Sequence, residues 1–342
     1  GGTVQAMKGG TIGTASGGVI DSMTGGTITN LNTGSMLTTW DGGTITNFNN
    51  GGYENWISGT ITNLLSGNIA QVHNNNKITN MKGGTVADMI GGEIGLISGG
   101  TVNAMSGGNV TTINNGQITN LTGGNIGELT ATGKIVDMSN ATVAKVSGGE
   151  ITTMNSGDIT TMTDGTIVTL ADGTIGTVSG GKIITMNNGT VNSLAGGEIT
   201  TMNDGTIDSM TGGLIGTFNE DATLTTWNGG TINKFNKGTL TTWLKGTIND
   251  LVDGVITLVQ TNNLIKIMTD GTVNSMTGGE ITTMNGGTVD SMTGGLIGNF
   301  NVGATLDNWN GGTITNFNHG LLNTWPAGTI TNLNSGTVFL VQ

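Results

Sequence analysis

The sequence has no cysteine and no arginine, one proline (Pro326), one tyrosine (Tyr53), and charged side chains at only 9% of its positions. Without cysteine there is no disulfide and no thiolate metal site, a condition that fits an extracellular or virion setting. Without arginine, and with a net charge of −12, the chain is poorly equipped to grip phosphate backbones or an anionic membrane surface, so neither nucleic acid nor membrane is expected as a partner. No apolar run approaches the ~18 residues of a spanning helix, and the N-terminal residues do not read as a signal peptide. An exported protein would carry that signal outside these residues. The scarcity of proline, and a glycine content without a three-residue period, exclude collagen.

Chemistry is equally sparse. The two histidines, His73 and His319, are 246 positions apart and read as solvated turn residues. No His or carboxylate cluster has metal-ligand spacing, and no aspartate column follows the calcium-binding nonapeptide pattern. The glycine-rich corners are not followed by Gly-Lys-Ser/Thr and so are not phosphate loops. Asn-x-Ser/Thr triplets such as Asn140-Ala141-Thr142 are chance products of an Asn/Thr-rich repeat. A nucleophile, base and acid cannot be assembled from this alphabet, so no catalysis, cofactor or metal is expected.

What is present is a repeat that covers the whole chain. Cut at its glycines, the sequence resolves into 42 units, 36 of eight residues and six of nine, such as GGTITNFN, GGEITTMN and DGTIDSMT. Numbered one to eight, position 2 is nearly always Gly and position 4 Ile or Val. Position 7 is mostly Met, Leu, Val, Ile, Phe or Trp, and positions 3, 5 and 6 are mostly small and polar. A short β-branched stretch such as Thr44-Ile45-Thr46 followed by a glycine corner is a strand with a stop. Eight residues cannot hold a strand, a turn and a helix. One strand and one corner per unit define an all-β, β-solenoid (β-helix) fold of 42 octapeptide units, a single repeat domain over 1–342.

The aromatic residues set the coil length. Trp40, Phe48 and Trp56 fall eight apart, and so do Trp227, Phe235, Trp243 and Trp309, Phe317, Trp325. Tryptophans 16 apart, read as vertical neighbours, give two strands per coil, with the phenylalanine on the other side. Twenty-one such coils would rise ~100 Å at about 4.8 Å each. The competing geometry winds three chains into an intertwined trimeric β-helix with one octad from each per turn; the pairing of tryptophans favours the single-chain coil. These aromatics are expected to be a packing ladder rather than a sugar-stacking surface. Positions 4 and 7 are an odd number apart, so either the chain bends and buries both, or the position-7 column faces outward toward a partner.

Residues 196–260 and 278–342 match at an offset of 82, and 9–73 is a looser copy. Three of the six nine-residue units contain Trp40, Trp227 and Trp309, and each reads as a bulge or widened corner where a block begins. Neither end shows a polar cap, an arrangement that points to a longer chain or to copies meeting end to end.

The units GGTITNFN and SGTITNLL resemble the glycine-, threonine- and asparagine-rich octad repeats of phage tail-fibre shafts and surface adhesins. The resemblance implies a rigid extracellular, cell-surface or virion fibre, self-assembling as a homo-oligomer or by end-to-end or lateral contact. It also implies receptor binding through regions absent here, since the tip residues of that family have no matching position. A second expectation is a binding face. Thr27 and Thr29, Thr44 and Thr46, Thr60 and Thr62, Thr313 and Thr315, and Thr329 and Thr331 form Thr-x-Thr pairs whose rows resemble those of ice-binding solenoids, although Glu198, Glu280 and Lys182 interrupt the pattern. A third is a self-assembling extracellular matrix filament.

Overall fold

A computed structural model describes residues 2–341; Gly1, and Gln342 at the close of the 278–342 copy, lie outside the described residues. Every regular element among the described residues is a β-strand, and every strand-to-strand register is parallel. The chain divides into two compact units, residues 1–168 and 169–342, described in turn.

In the first unit, each octad lies over the octad two units earlier. Glu93 and Ile94 pair with Asn109 and Val110, and Leu96 and Ile97 with Thr112 and Ile113. The offset is 16 within plain octads and 17 where a nine-residue unit intervenes, as in Ile28 with Ile45. Position 4 therefore builds a continuous column, Ile28, Ile45, Ile61, Ile78 and Ile94, with every member fully buried. The second unit repeats the arrangement, with Ile199, Ile215 and Ile232 in one column and Val191, Ile207 and Leu224 in the opposite one. The single-chain coil of two strands per turn is thus the observed fold. The braided trimer is not, because storey partners come from the same chain.

Positions 4 and 7 both face inward. Strand Thr101–Met105 buries Val102 and Met105 and leaves the three residues between and before them partly or fully outside. The pairing skips position 5, and two consecutive residues, 5 and 6, point outward; the strand bends there, which brings two side chains three apart to one interior. Positions 3 and 5 stay on one outer wall, since Glu150 accepts from Thr152 Oγ1 at 2.9 Å and Glu198 from Thr200 Oγ1 at 2.9 Å.

The corner glycine answers two demands. Gly124 has φ +86°, a left-handed conformation that side chains resist, and an added Cβ would lie 2.7 Å from the methyl of Met105 in the storey below. The same contact recurs beneath other corners: Trp40 lies under Gly59, Phe48 under Gly67, Trp227 under Gly246, and Phe235 under Gly254. Position 2 lacks a side chain so that the position-7 side chain of the storey beneath can reach under the corner.

The six nine-residue units share one device. Each turns its extra residue inward at the corner, and it is small or a short amide: Ser35, Asn76, Gly133, Ala222, Asn263 or Ala304, all buried.

Replacing Gly124 with Ala should lower stability by the left-handed backbone penalty of about 1–2 kcal/mol plus an overpacking penalty of about 1–3 kcal/mol. Gly34→Ala shares the backbone problem (φ +88°), but its nearest neighbour, Ser16 O, is at 3.5 Å, so only the first penalty applies. Urea unfolding of the two variants should rank them in that order.

Candidate interaction surfaces and seams

The aromatic ladder forms as spaced. Trp40 and Trp56 stack with centroids 4.7 Å apart and planes 7° apart, Trp227 and Trp243 at 4.9 Å and 7°, and Trp309 and Trp325 at 5.1 Å and 14°. Each first tryptophan rests on a methionine, Met23, Met210 or Met292, and each donates its indole N–H to a carbonyl two residues on, Gly42, Gly229 or Gly311. Trp40, Trp227 and Trp309 are fully buried. Phe48 lies in the opposite column between Leu31 and Leu64. Phe235 and Phe317 stack instead on Phe218 and Phe300, at 5.4 and 5.2 Å. The regular spacing does not reveal these two partners, because a nine-residue unit shifts each pair to a separation of 17. With the rings inside, their energy is burial and offset stacking.

The threonine rows are short. Thr11, Thr27, Thr44 and Thr60 stack in one column, which ends at Lys77. Thr29, Thr46 and Thr62 stand beside it at the bend, all half-buried. Thr313 pairs upward with Thr329 but downward with Leu296, with Thr315 and Thr331 at the bends beside them. Asparagines form runs of the same four-storey length, joined side chain to side chain. Asn47 Nδ2 donates to Asn30 Oδ1 and Asn63 to Asn47, both at 3.0 Å; Asn203, Asn219 and Asn236 continue a run from Asn187, and Asn301, Asn318 and Asn334 one from Asn285. Each amide offers both a donor and an acceptor, so a stacked column can pass one bond from storey to storey.

Charges are also matched vertically. Lys77 meets Glu93 at 3.0 Å, Lys134 meets Glu150 at 2.8 Å, Lys145 meets Glu128 at 2.9 Å, and Lys182 meets Glu198 at 3.0 Å, all part-exposed. The hydrogen bond from Ser147, reinforced by Lys145, holds the Glu128 carboxyl below its ordinary range. Lys134 and then Thr152 do so for Glu150, and Lys182 and then Thr200 for Glu198. His73 and His319 lie at corners; His319 Nδ1 is 3.1 Å from Ser335 Oγ. Among the described residues, no group of three or more His, Asp or Glu side chains is arranged to hold a metal.

Among the described residues, the backbone ladder is interrupted on one wall of each unit. Residues 52–56 pair downward with 36–40, and Asn68–Val72 pairs upward with Thr85–Met89, yet no register joins 52–56 to 68–72. In the second unit 239–243 pairs downward with 223–227 and Val255–Val259 upward with Thr272–Met276, again without a register between them. Each seam lies directly above the second tryptophan of a stack. There the residue that would cover the indole is Asn76 or Asn263 instead of the glycine found above Trp40 and Trp227. The buried amides bridge the opening. Asn76 Nδ2 donates to Trp56 O at 3.3 Å while its Oδ1 accepts from His73 N at 2.7 Å; Asn263 Nδ2 donates to Trp243 O at 3.3 Å and its Oδ1 accepts from Gln260 N at 2.8 Å. The indole N–H groups of Trp56 and Trp243 are buried without a hydrogen-bond partner.

The two seams differ in their filling. In the first, Tyr53 leans between Phe48 and Trp56 and its hydroxyl accepts from Ala70 N at 2.6 Å. Burial pushes the Tyr53 phenol up, opposed by the N–H groups of Ala70 and Gln71. The groove there, lined by Glu54, Ile57, Gln71 and His73, is about 430 Å³. In the second, Leu240 occupies the place of Tyr53, and a groove of about 220 Å³ runs between Thr241–Trp243 and Ile256–Leu258.

Comparison with protein-family models, with curated proteins and with solved structures returns no match.

Removing the bridging amide by Asn263→Ala leaves Gln260 N short of its acceptor, while Trp243 O keeps Gln260 Nε2 as a donor at 2.9 Å, and should cost about 1–3 kcal/mol. Asn334→Ala, in an exposed run, should fall within ~0.5 kcal/mol of wild type; thermal unfolding of both compares them. Glu128, Glu150 and Glu198 have depressed carboxyls, so their stabilising contribution is present above the ordinary carboxylate range and lost as pH falls through their lowered values. NMR titration of Glu150 should show it below normal, and Lys134→Gln should return it toward the ordinary value.

Proposed function

We propose that the chain is a structural protein whose role is stiffness and reach: a shaft segment of an extracellular or virion fibre, acting without catalysis. The observation that carries this reading is the in-register parallel ladder in each unit, closed over a continuous column of buried aliphatic and aromatic side chains. A coil whose backbone bonds run mainly from storey to storey resists bending and leaves a protease few loops to cut. The outer walls support the same reading. They carry amide runs and vertically paired charges, and the ionisable groups are spread along the chain instead of converging on one place. Self-association into a homo-oligomeric fibre, with receptor contact made by other parts of the assembly, belongs to this proposal.

The threonine array offers less support for an ice-binding role, because the longest row runs four storeys before Lys77 and its partner Glu93 replace it. An ordered lattice demands a flat face free of such charges.

Negative-stain electron microscopy of the purified chain, together with limited proteolysis, tests the structural reading. Straight unbranched rods of uniform width that survive protease are expected. Flexible or collapsed particles, rapid digestion throughout, or thermal hysteresis at micromolar protein would each overturn it.

A further inference from the structure

The corner Asn188-Gly189 sets a side-chain amide beside a backbone nitrogen that the ladder leaves unused, and we propose that it is a site of spontaneous deamidation. In that reaction the Gly189 nitrogen gives up its proton to solvent and attacks Cγ of Asn188. The new N–C bond closes a succinimide ring, and the side-chain nitrogen takes up a proton and leaves as ammonia. Water then opens the ring at either carbonyl, giving aspartate or isoaspartate. The only co-reactant is water, and the absence of a Cβ on glycine leaves the attacking nitrogen unhindered.

Five corners of the same shape show how near the two groups come. Asp164, Asp172, Asp204, Asp253 and Asp270 each stand at position 1 before a glycine at position 2. In every one the aspartate Oδ1 accepts from the N–H of that glycine, at 2.5–2.8 Å. The corner thus turns a position-1 side chain back onto the next backbone nitrogen, with Cγ one bond behind the accepting oxygen. Reacting atoms held about 3–3.5 Å apart are poised to combine. The five glycines have φ between +90° and +104°, and Gly189 has φ +92°. Both partners are also free at Asn188. The ladder bonds of this storey run from Asn187 N to Leu170 O and from Thr190 N to Gly173 O, at 2.9 and 2.8 Å, and pass over the two nitrogens between. The Asn188 side chain is exposed and bonds to no other described residue, so nothing holds it away from the position the aspartates take.

The other Asn-Gly pairs are held apart. Asn285 Oδ1 accepts from Asn301 Nδ2 at 2.9 Å, while Gly286 N donates to Met268 O at 3.4 Å. Asn115 Oδ1 accepts from Thr132 Oγ1 at 2.8 Å, Asn50 Nδ2 donates to Thr33 Oγ1 at 3.4 Å, and neither Gly116 nor Gly51 has the left-handed φ. Asn228 and Asn310 are in ladder register with Lys245 and Ala327. The surroundings of Asn188 set the rate and the consequence. It stands between Asp172 and Asp204, in a column that continues to Asp221. These carboxylates oppose loss of the Gly189 proton, so screening by salt should hasten the reaction. Isoaspartate adds a carbon to the main chain in a storey whose bonds to its neighbours depend on a fixed spacing. Deamidation therefore loosens one storey of the second unit as the protein ages.

The test incubates the full chain, folded, at neutral pH and physiological temperature, then unfolds, digests and maps it by fragment-ion mass spectrometry, which locates each changed residue. Asn188 should gain the mass difference of amide to acid at least ~10-fold faster than Asn115 or Asn285, because a misplacement of about 1 Å is enough to cost that much in rate. Its product should separate by chromatography into aspartate and isoaspartate forms, and added salt should speed its formation. In urea, where the corners are gone, the Asn-Gly pairs should react at similar rates. On ageing, the urea midpoint of the wild type should fall, whereas Asn188→Ser, which puts at position 1 the residue found in Ser58 and Ser156, should keep its midpoint. The proposal is overturned if Asn188 stays intact in the folded chain, if it reacts no faster than Asn115 or Asn285, or if both midpoints fall alike. Failure here would leave the shaft reading intact, since that reading depends on the closed storeys and not on their ageing.

Discussion

The constraint on which the rest of the structure depends is the vertical fit between storeys about 4.8 Å apart. Each octad must form its backbone bonds to the octads above and below at that spacing, while its position-7 side chain reaches under the corner of the storey above. Only a residue without Cβ leaves room there, and only glycine adopts that corner conformation without strain, so backbone geometry and core packing demand the same residue at the same place. Gly59 over Trp40 and Gly124 over Met105 are the two sizes of this joint. Methionine suits the ordinary storeys because its unbranched, flexible chain can bend its terminal methyl beneath a corner. Tryptophan fills the joint completely, and then needs both a soft floor, Met23 or Met210, and a stacked partner above.

Where that fit is relaxed, the chain lengthens by one residue and the irregularities gather. The extra residue of each nine-residue unit turns into the corner, and small side chains there occupy space that a normal octad would leave empty. Asn76 and Asn263 do more, because the strand just before each, 68–72 or 255–259, has come away from the one beneath it. Their amides replace, with one donor and one acceptor, the pair of backbone bonds lost at the corner. A buried amide is tolerated where its bonding capacity is used, and these two are used on both atoms. The widened unit is therefore a corner adjustment in some blocks and the hinge of a seam in others, depending on what residue stands above the second tryptophan.

The surface obeys a related rule. Residues in one column are neighbours by construction, so a charge repeated on successive storeys would repel itself at close range. At several storeys lysine stands against glutamate, as at Lys77 and Glu93 or Lys182 and Glu198, and asparagine columns avoid the problem by being both donor and acceptor, whereas Asp204 and Asp221 do pair as like charges. Ion pairs this exposed add little stability; their role is to make a charged storey compatible with its neighbours.

The sequence by itself determined the strand content, and it favoured the coil of two octads over a braided trimer, and with it the stacking of Trp40 on Trp56 and Trp227 on Trp243. These follow from a period, and a period survives in one dimension. It did not determine that positions 4 and 7 share one interior, since that rests on a bend at position 5 which parity alone argues against. Phe218 and Phe300 were hidden as stacking partners because a nine-residue unit displaces them from the regular interval. The seams were invisible for a deeper reason. Whether two storeys close depends on what lies over an indole ring 20 residues earlier and on whether a side chain such as Tyr53 or Asn263 can take the bonds the backbone gives up, and such contacts exist only once the coils are stacked.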